Sequence, residues 1–392
     1  MFIESITAYG AVPGTLCTAS LQAAINACHA AGGGEVIIED GTYIIGTVFM
    51  QSGVTLRLRA TGTLKASGNG EDYPEFDRDF DHDKAPRHTS RCLIYAGLCE
   101  DIGIVGEGKI DCSGAAFCEK VDDKARFYKR NTDILPARMV FLYRCRRVKL
   151  LDVRMEEMAG GWAYWINGCD EVTVRGLHIL CDQHYPNSDG IHINCSADVT
   201  VSDCVIRCGD DSIILRANSN TLPEPRPLER VTVTNCTLSS WCCAIRVAWA
   251  NDGIIRDSTL SNLVITDSNV GIAMVCPPYP TTDIVRRTSD RGRESTDIYH
   301  LHFDNIVMHG ITSYPITVSL SKDDMVTGIR DVRFRGITAV AKHLPGFIAE
   351  TGVVRDVHFT DCTFTATEPD APMRFLGIDG VEFDGVKIRN QK

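Results

Sequence analysis

The chain has no basic run, no apolar stretch approaching a membrane span, and no charged-then-apolar leader at Met1-Phe2-Ile3-Glu4-Ser5. Each absence closes off a class of function. With 40 basic against 51 acidic side chains the net charge is −11, so the cationic surface that neutralises phosphates is missing and no nucleic-acid partner is expected. The missing span and leader set the expectation of a cytoplasmic protein with no membrane partner. Cysteine is plentiful at 17, but the number is odd and framework spacing is lacking, so the thiols read as small buried hydrophobes rather than disulfides. Cys204 with Cys208 and the pair Cys242-Cys243 fall short of paired zinc spacing, and neither a metal nor another cofactor is expected. Aromatics are few, at 7%, yet 44% of the 392 residues are hydrophobic, which is enough for a large core. Length alone would suggest two or three domains, unless a repeat overrides the count.

A repeat is present. The phrase apolar-x-apolar-x-(Asp, Asn or Gly)-apolar or Cys recurs with its fifth slot at Asp152, Gly176, Asp203, Asn235, Asn262, Asn305, Gly336, Asp361 and Gly385. Successive slots lie 24, 27, 32, 27, 43, 31, 25 and 24 residues apart. A unit of this length is too short for a strand-helix unit and fits one coil of a parallel β-solenoid with insertions. The third slot holds Val174, Val201, Val233, Leu260, Phe303, Phe334, Phe359 and Phe383, a column expected to stack in the core, with Cys204, Cys236 and Cys362 forming a similar one. Upstream, Thr18 to Ala31 reads as a short helix capped by Thr18 or Ser20 and ended by Gly32-Gly33-Gly34, followed by the strand Glu35-Val36-Ile37-Ile38. A helix followed only by strands suggests a cap over a solenoid end. The expectation is an all-β, single-domain parallel β-helix over residues 1–392, with the cap at about 1–45 and coils over about 46–392.

The stretch Pro186-Asn187-Ser188-Asp189-Gly190-Ile191-His192-Ile193-Asn194 is answered one repeat later by Gly209-Asp210-Asp211-Ser212-Ile213-Ile214-Leu215-Arg216. Ile191 and Ile193 align with Ile213 and Leu215, alternating with His192, Asn194, Ile214 and Arg216, the period-2 pattern of strands with one buried face. Neighbouring strands in register would set Asp189 and Asp211 about 5 Å apart, with Asp210 out of phase. Carboxylates that close cannot all ionise freely, and one protonated carboxyl beside ionised ones is what an acid/base hydrolase uses. The bland alternative is that aspartate beside glycine makes turns.

Two insertions interrupt the repeat: the charged segment Asn69 to Ser90 and the mixed segment Phe117 to Arg138. They read as walls of a groove, as contacts of a homo-oligomer, or as solvated loops. The long gap between Asn262 and Asn305, with Cys276-Pro277-Pro278-Tyr279-Pro280 and Arg286-Arg287, is a third candidate wall.

Taken together, Asn187-Ser188-Asp189-Gly190-Ile191, then Gly209-Asp210-Asp211, after the helix-triglycine-strand opening, resemble the polygalacturonase family, family 28 of the glycoside hydrolases, in a divergent form. The similarity runs from Gly10-Ala11-Val12 through Gly106-Glu107-Gly108-Lys109-Ile110-Asp111 to the coils after the site. It implies a right-handed parallel β-helix that hydrolyses glycosidic bonds of pectin-type, plant cell-wall oligosaccharides with inversion, Asp210 being the general acid and Asp189 and Asp211 holding and activating water. With no leader, the substrate is expected to be an oligosaccharide already inside the cell, cleaved from one end. Two departures concern the substrate. The family's Gly-His-Gly is replaced by Ser239-Ser240-Trp241-Cys242-Cys243, with Cys243 or Trp241 in the histidine's slot, and its Arg-Ile-Lys by Gly271-Ile272-Ala273-Met274.

Aligning Ile245 on Ile213 places Arg246 over Ile214 and beside Ala273, where it either grips a substrate carboxylate, flanked by Arg216, or pairs with acids of the protein. Asn187, His192, Arg216, Trp241 and Arg246 are the candidate substrate-binding residues, with His192 on an exposed face beside Asp189. Trp162, Tyr164, Trp165, Tyr185, Trp241 and Trp249 are either sugar platforms or core. The rival readings are a glycosidase for a neutral glycan, a non-catalytic glycan-binding or assembly β-helix, and a lyase or epimerase on the same scaffold. The last is disfavoured because no lysine lies between Asp189 and Arg216.

Overall fold

The computed structural model describes residues 2–121, 126–158, 160–249, 251–275, 292–320, 325–349, 352–368 and 372–390. The chain forms two compact units, one of Met1–His82, His88–His192 and Asp198–Asp210, the other of Asp83–Arg87, Ile193–Ala197 and Asp211–Lys392. Both have the same construction, and the fold is a right-handed parallel β-helix.

In the first unit each coil contributes strands to three parallel arms. One arm runs Phe2–Ser5, Gly34–Ile38, Val54–Leu58, Glu100–Gly106, Arg146–Leu151 and Asp170–Arg175. The next runs Gly41–Ile45, Gly62–Ala66, Lys109–Asp111, Arg154–Glu156, His178–Leu180 and Val205–Cys208. The third runs Val48–Phe49, Cys92–Gly97, Arg138–Tyr143 and Trp162–Asn167. The helix Thr18–Ala30 buries Leu21, Ala24, Ile25 and Cys28. Its cap differs from expectation: Cys17 precedes the first turn without a side-chain cap bond, because the Thr18 hydroxyl is engaged as acceptor from the Gly46 amide at 2.8 Å.

The second unit stacks the expected column in register: Val233, Leu260, Phe303, Phe334, Phe359 and Phe383 are successive partners. The phenyl rings lie 5.0, 4.9 and 5.3 Å apart with planes within 15° of parallel. Cys204, Cys236 and Cys362 are buried, and each thiol donates to the carbonyl two residues before it. The sixteen described cysteines are free thiols, and all but Cys242 are buried.

The Asp/Asn/Gly slot has a conformational cause. Asp152, Gly176, Asp203, Asn235, Asn262, Asn305, Gly336, Asp361 and Gly385 all have φ between 52° and 65°. A coil turns its corner by one left-handed residue, which glycine adopts freely and Asn or Asp more readily than other side chains. At seven of these slots the strand breaks there without a long turn, whereas Ile254–Thr266 and Thr296–Ile311 run on through Asn262 and Asn305.

The strands of the third arm depart from the one-face reading. Ile191–Asn194 and Ile213–Arg216 are buried at every position, so both faces are covered. In the first unit the cover includes the insertion at residues 69–90: the Phe80 ring sits 5.2 Å from Phe141 and from Tyr143, and Phe76 sits 4.7 Å from Tyr95. This charged insertion is therefore anchored by its aromatics rather than free in solvent. The third candidate wall lies mainly outside the described residues, at 276–291.

Candidate active site

The motif residues occupy one kind of corner, the segment that leads from the second arm into the third. Segment 181–190 joins His178–Leu180 to Ile191–Asn194, and 209–212 joins Val205–Cys208 to Ile213–Arg216. Both insertions leave from the same corner of earlier coils, ahead of Cys92–Gly97 and Arg138–Tyr143.

In the first unit, Asp189 is 4% exposed and its Oδ2 lies 2.8 Å from His192 Nε2. His192 is itself buried, against expectation, because the Trp162 indole stacks on it at 3.7 Å with planes 9° apart. Behind the indole, the fully buried Arg138 places its guanidinium carbon 5.0 Å from Trp162 and 4.6 Å from Trp165, and donates to the Thr89 carbonyl at 2.7 Å. Trp162, Tyr164, Trp165 and Tyr185 are all buried, so these four serve as packing for the site. Trp241 and Trp249 are half-buried.

Asp210 is half-buried, and Asn187 Nδ2 donates to its Oδ2 at 3.3 Å. Asp189 and Asp210 each offer a carboxylate oxygen within 4.8 Å of the other. The glycine before Asp210 is required by close approach. A Cβ on Gly209 would lie 2.4 Å from the Tyr185 carbonyl and 2.7 Å from the Ser188 hydroxyl. That hydroxyl accepts from the Gly209 amide at 2.9 Å and donates to the Tyr185 carbonyl at 2.8 Å, locking the two motif segments together.

In the second unit, Asp211 is 4% exposed and carries Arg246 on both oxygens, Nε on Oδ2 and Nη2 on Oδ1 at 2.9 Å, with the Cys243 amide donating to Oδ1 at 3.1 Å. The register expected for Arg246 is present: it pairs across from Ile214 on one side and Ala273 on the other. Arg246 Nη2 also lies 3.4 Å from the sulfurs of Cys242 and Cys243, so a carboxylate and two thiols converge on one guanidinium. Arg216 forms a second fork, to Asp252, at 2.5 and 2.7 Å. Asp252 is fully buried and also accepts from the Trp249 amide at 3.0 Å. Of the two readings of these arginines, pairing with the protein's own acids is the one the contacts display.

One site residue left no mark in the sequence pattern. Arg130, in the insertion at residues 117–138, donates through Nη2 to Asn187 Oδ1 at 2.7 Å. The two residues are far apart in sequence and Arg130 lies in no repeat slot, so only the fold brings them together.

A buried and a half-buried carboxylate within 4.8 Å of each other on a parallel β-helix are the kind of pair that glycoside hydrolases use. The profile of Glycosyl hydrolases family 28 matches residues 41–339, and the chain belongs to that family of glycosidases. It is 24% identical to the exo-poly-alpha-D-galacturonosidase of Dickeya chrysanthemi, a match covering 70% of this chain and 52% of that protein, about half its length. It is 22% identical to the exopolygalacturonase of Zea mays over 94% of this chain and 78% of the other. Among solved structures, the hyperthermoactive exopolygalacturonase of Thermotoga maritima superposes with a TM-score of 0.80 at 17% identity, covering 99% and 92% of the two chains.

Proposed function

We propose that this glycosidase works inside the cell on a pectin-type oligosaccharide, cleaving from one end with inversion. Asp210 gives its proton to the leaving oxygen as the bond from the anomeric carbon breaks. Asp189 and Asp211 hold the water that attacks the opposite face, and one of them takes its proton. The observation that carries this reading is the pairing of Asp189 and Asp210, within 4.8 Å, in unequal surroundings: one buried on an imidazole, the other half-exposed on an amide. Two carboxyls held differently are how one site supplies an acid and a base. The relatives named as exo-acting galacturonide hydrolases support the substrate class and the end-wise action. The free buried thiols support a reducing compartment.

A second substrate reading, a neutral glycan, is favoured by one observation. The forks of Arg246 and Arg216 rest on Asp211 and Asp252, so the cations expected to grip a uronate carboxylate already hold the protein's own. Turnover of uronic and neutral plant oligosaccharides by wild type and Asp210→Asn, read as new reducing ends, tests both. Loss of at least about 100-fold in the variant is expected from removing a general acid. Equal rates in both proteins would refute the assignment of Asp210, and the better substrate decides between uronate and neutral sugar.

A further inference from the structure

We infer that Arg130 is a positioning residue for the general acid, acting through the amide of Asn187; this rests on the reading of Asp210 as that acid. A free asparagine can present either its oxygen or its nitrogen to a carboxyl, and only the nitrogen donates. Arg130 Nη2 donates to Asn187 Oδ1 at 2.7 Å, which fixes the oxygen on the arginine side and turns Nδ2 toward Asp210 Oδ2, at 3.3 Å. With Oδ2 held as acceptor, the transferable proton is placed on Oδ1, so the relay chooses which oxygen of Asp210 acts as acid.

Arg130 is held for this task. Its strand, Lys129–Arg130, pairs antiparallel with Cys118–Glu119. Two residues earlier the Tyr128 amide donates to the His184 carbonyl at 2.8 Å, and its hydroxyl donates to Asp182 Oδ2 at 2.7 Å. The guanidinium also reaches the Gly160 carbonyl at 3.4 Å, and a Cβ on Gly160 would lie 2.5 Å from Arg130 Nε, so this glycine leaves room for the side chain. Asn187 itself adopts φ 50°, a left-handed conformation that asparagine takes more readily than most side chains. Through Arg130 the insertion at 117–138 thereby reaches the Asn187 amide.

The test separates positioning from folding by changing the leaving group. An aryl glycoside with a dinitrophenyl leaving group needs no proton, whereas a sugar leaving group does. Arg130→Ala is expected to lower kcat on an oligogalacturonide or its neutral counterpart by about 10- to 100-fold, within the usual worth of acid catalysis, with KM changed less than about threefold and the dinitrophenyl glycoside turned over nearly as fast as by wild type. Arg130→Lys, which keeps one donor, should recover part of the loss. A crystal structure of Arg130→Ala should show the Asn187 amide turned away from Asp210. Equal losses on both substrates, or Asn187 still donating to Asp210 in the variant crystal, would overturn the proposal. Asp210→Asn is the control: if it fails to discriminate the leaving groups, the acid assignment itself falls; if it discriminates and Arg130→Ala does not, only the relay falls.

Discussion

At the scale of single residues, the second unit shows a costly arrangement that is stable only when complete. Arg216 and Asp252 are 6% and 0% exposed and meet in a two-point fork. Removing both from water is unfavourable, but removing one partner is worse, because the other stays buried and charged. Asp252→Ala is expected to lower unfolding free energy by about 3–5 kcal/mol, read as a shifted urea midpoint at unchanged slope. A loss under about 1 kcal/mol would mean that water reaches Arg216 and the fork is not structural. Asp189 and Asp211 could be read as candidates because they hold the same slot of successive repeats, and Asp210 because it adjoins Asp211. Arg130, Arg138 and Asp252 went unread because their partners lie in other coils at no fixed spacing, and a one-dimensional pattern carries no trace of such pairs.

At the scale of elements, the two insertions are held by carboxylates that titrate, so their docking depends on pH. Burial pushes the Glu75 carboxyl up, but hydrogen bonds from Thr89 and Ser90 and the charge of Arg91 outweigh it and hold the group below its ordinary value. Burial likewise opposes, and bonds from the His184 amide and ring and the Tyr128 hydroxyl outweigh, at Asp182, which also ends low. A depressed carboxyl stabilises the fold fully above its unfolded value, about 4.3 for Glu and 3.9 for Asp, and that contribution is lost as pH falls through the lower folded value. The aromatic cluster of Phe76, Phe80, Tyr95 and Phe141 should therefore keep its near-ultraviolet circular dichroism down to about pH 4 and lose it below. Loss already above about pH 5 would show that these carboxylates do not hold the insertion. The sequence marked both segments as insertions by their lack of repeat, but their role as cover and prop depended on long-range packing that the repeat phrase does not contain. The corner slot was legible as Asp, Asn or Gly; a second left-handed column, in which Arg147, Glu171 and Arg230 alternate with aspartates such as Asp101 and Asp198, was not, since arginine and glutamate carry no such signal.

At the scale of the whole molecule, family membership and the parallel β-helix were both legible in the sequence, because a solenoid writes its period into the chain. The stereochemistry was implied only by resemblance. The oxygens of Asp189 and Asp210 come within 4.8 Å, below the carboxyl spacing of roughly 6.5–9.5 Å usual for inversion, which is set by room for a water. The anomer of the first product, followed by proton NMR before mutarotation, decides the matter. An inverted product is expected; a retained one would mean that one of the aspartates attacks carbon directly.

In the first unit, beyond the cap, the corner that leads into the third arm carries both insertions and the Asp189 segment, while the other two corners stay short, several of them turned by left-handed residues such as Gly106, Asp152 and Gly176. Structural spine and working margin are thus separate along these coils. Selection can lengthen, shorten or rewrite that margin without disturbing a single stacked rung, so a lineage on this scaffold can change what it recognises while its frame drifts slowly. The same separation gives an engineer a place to graft: one seam in these coils, where new chemistry can be added to an unchanged frame.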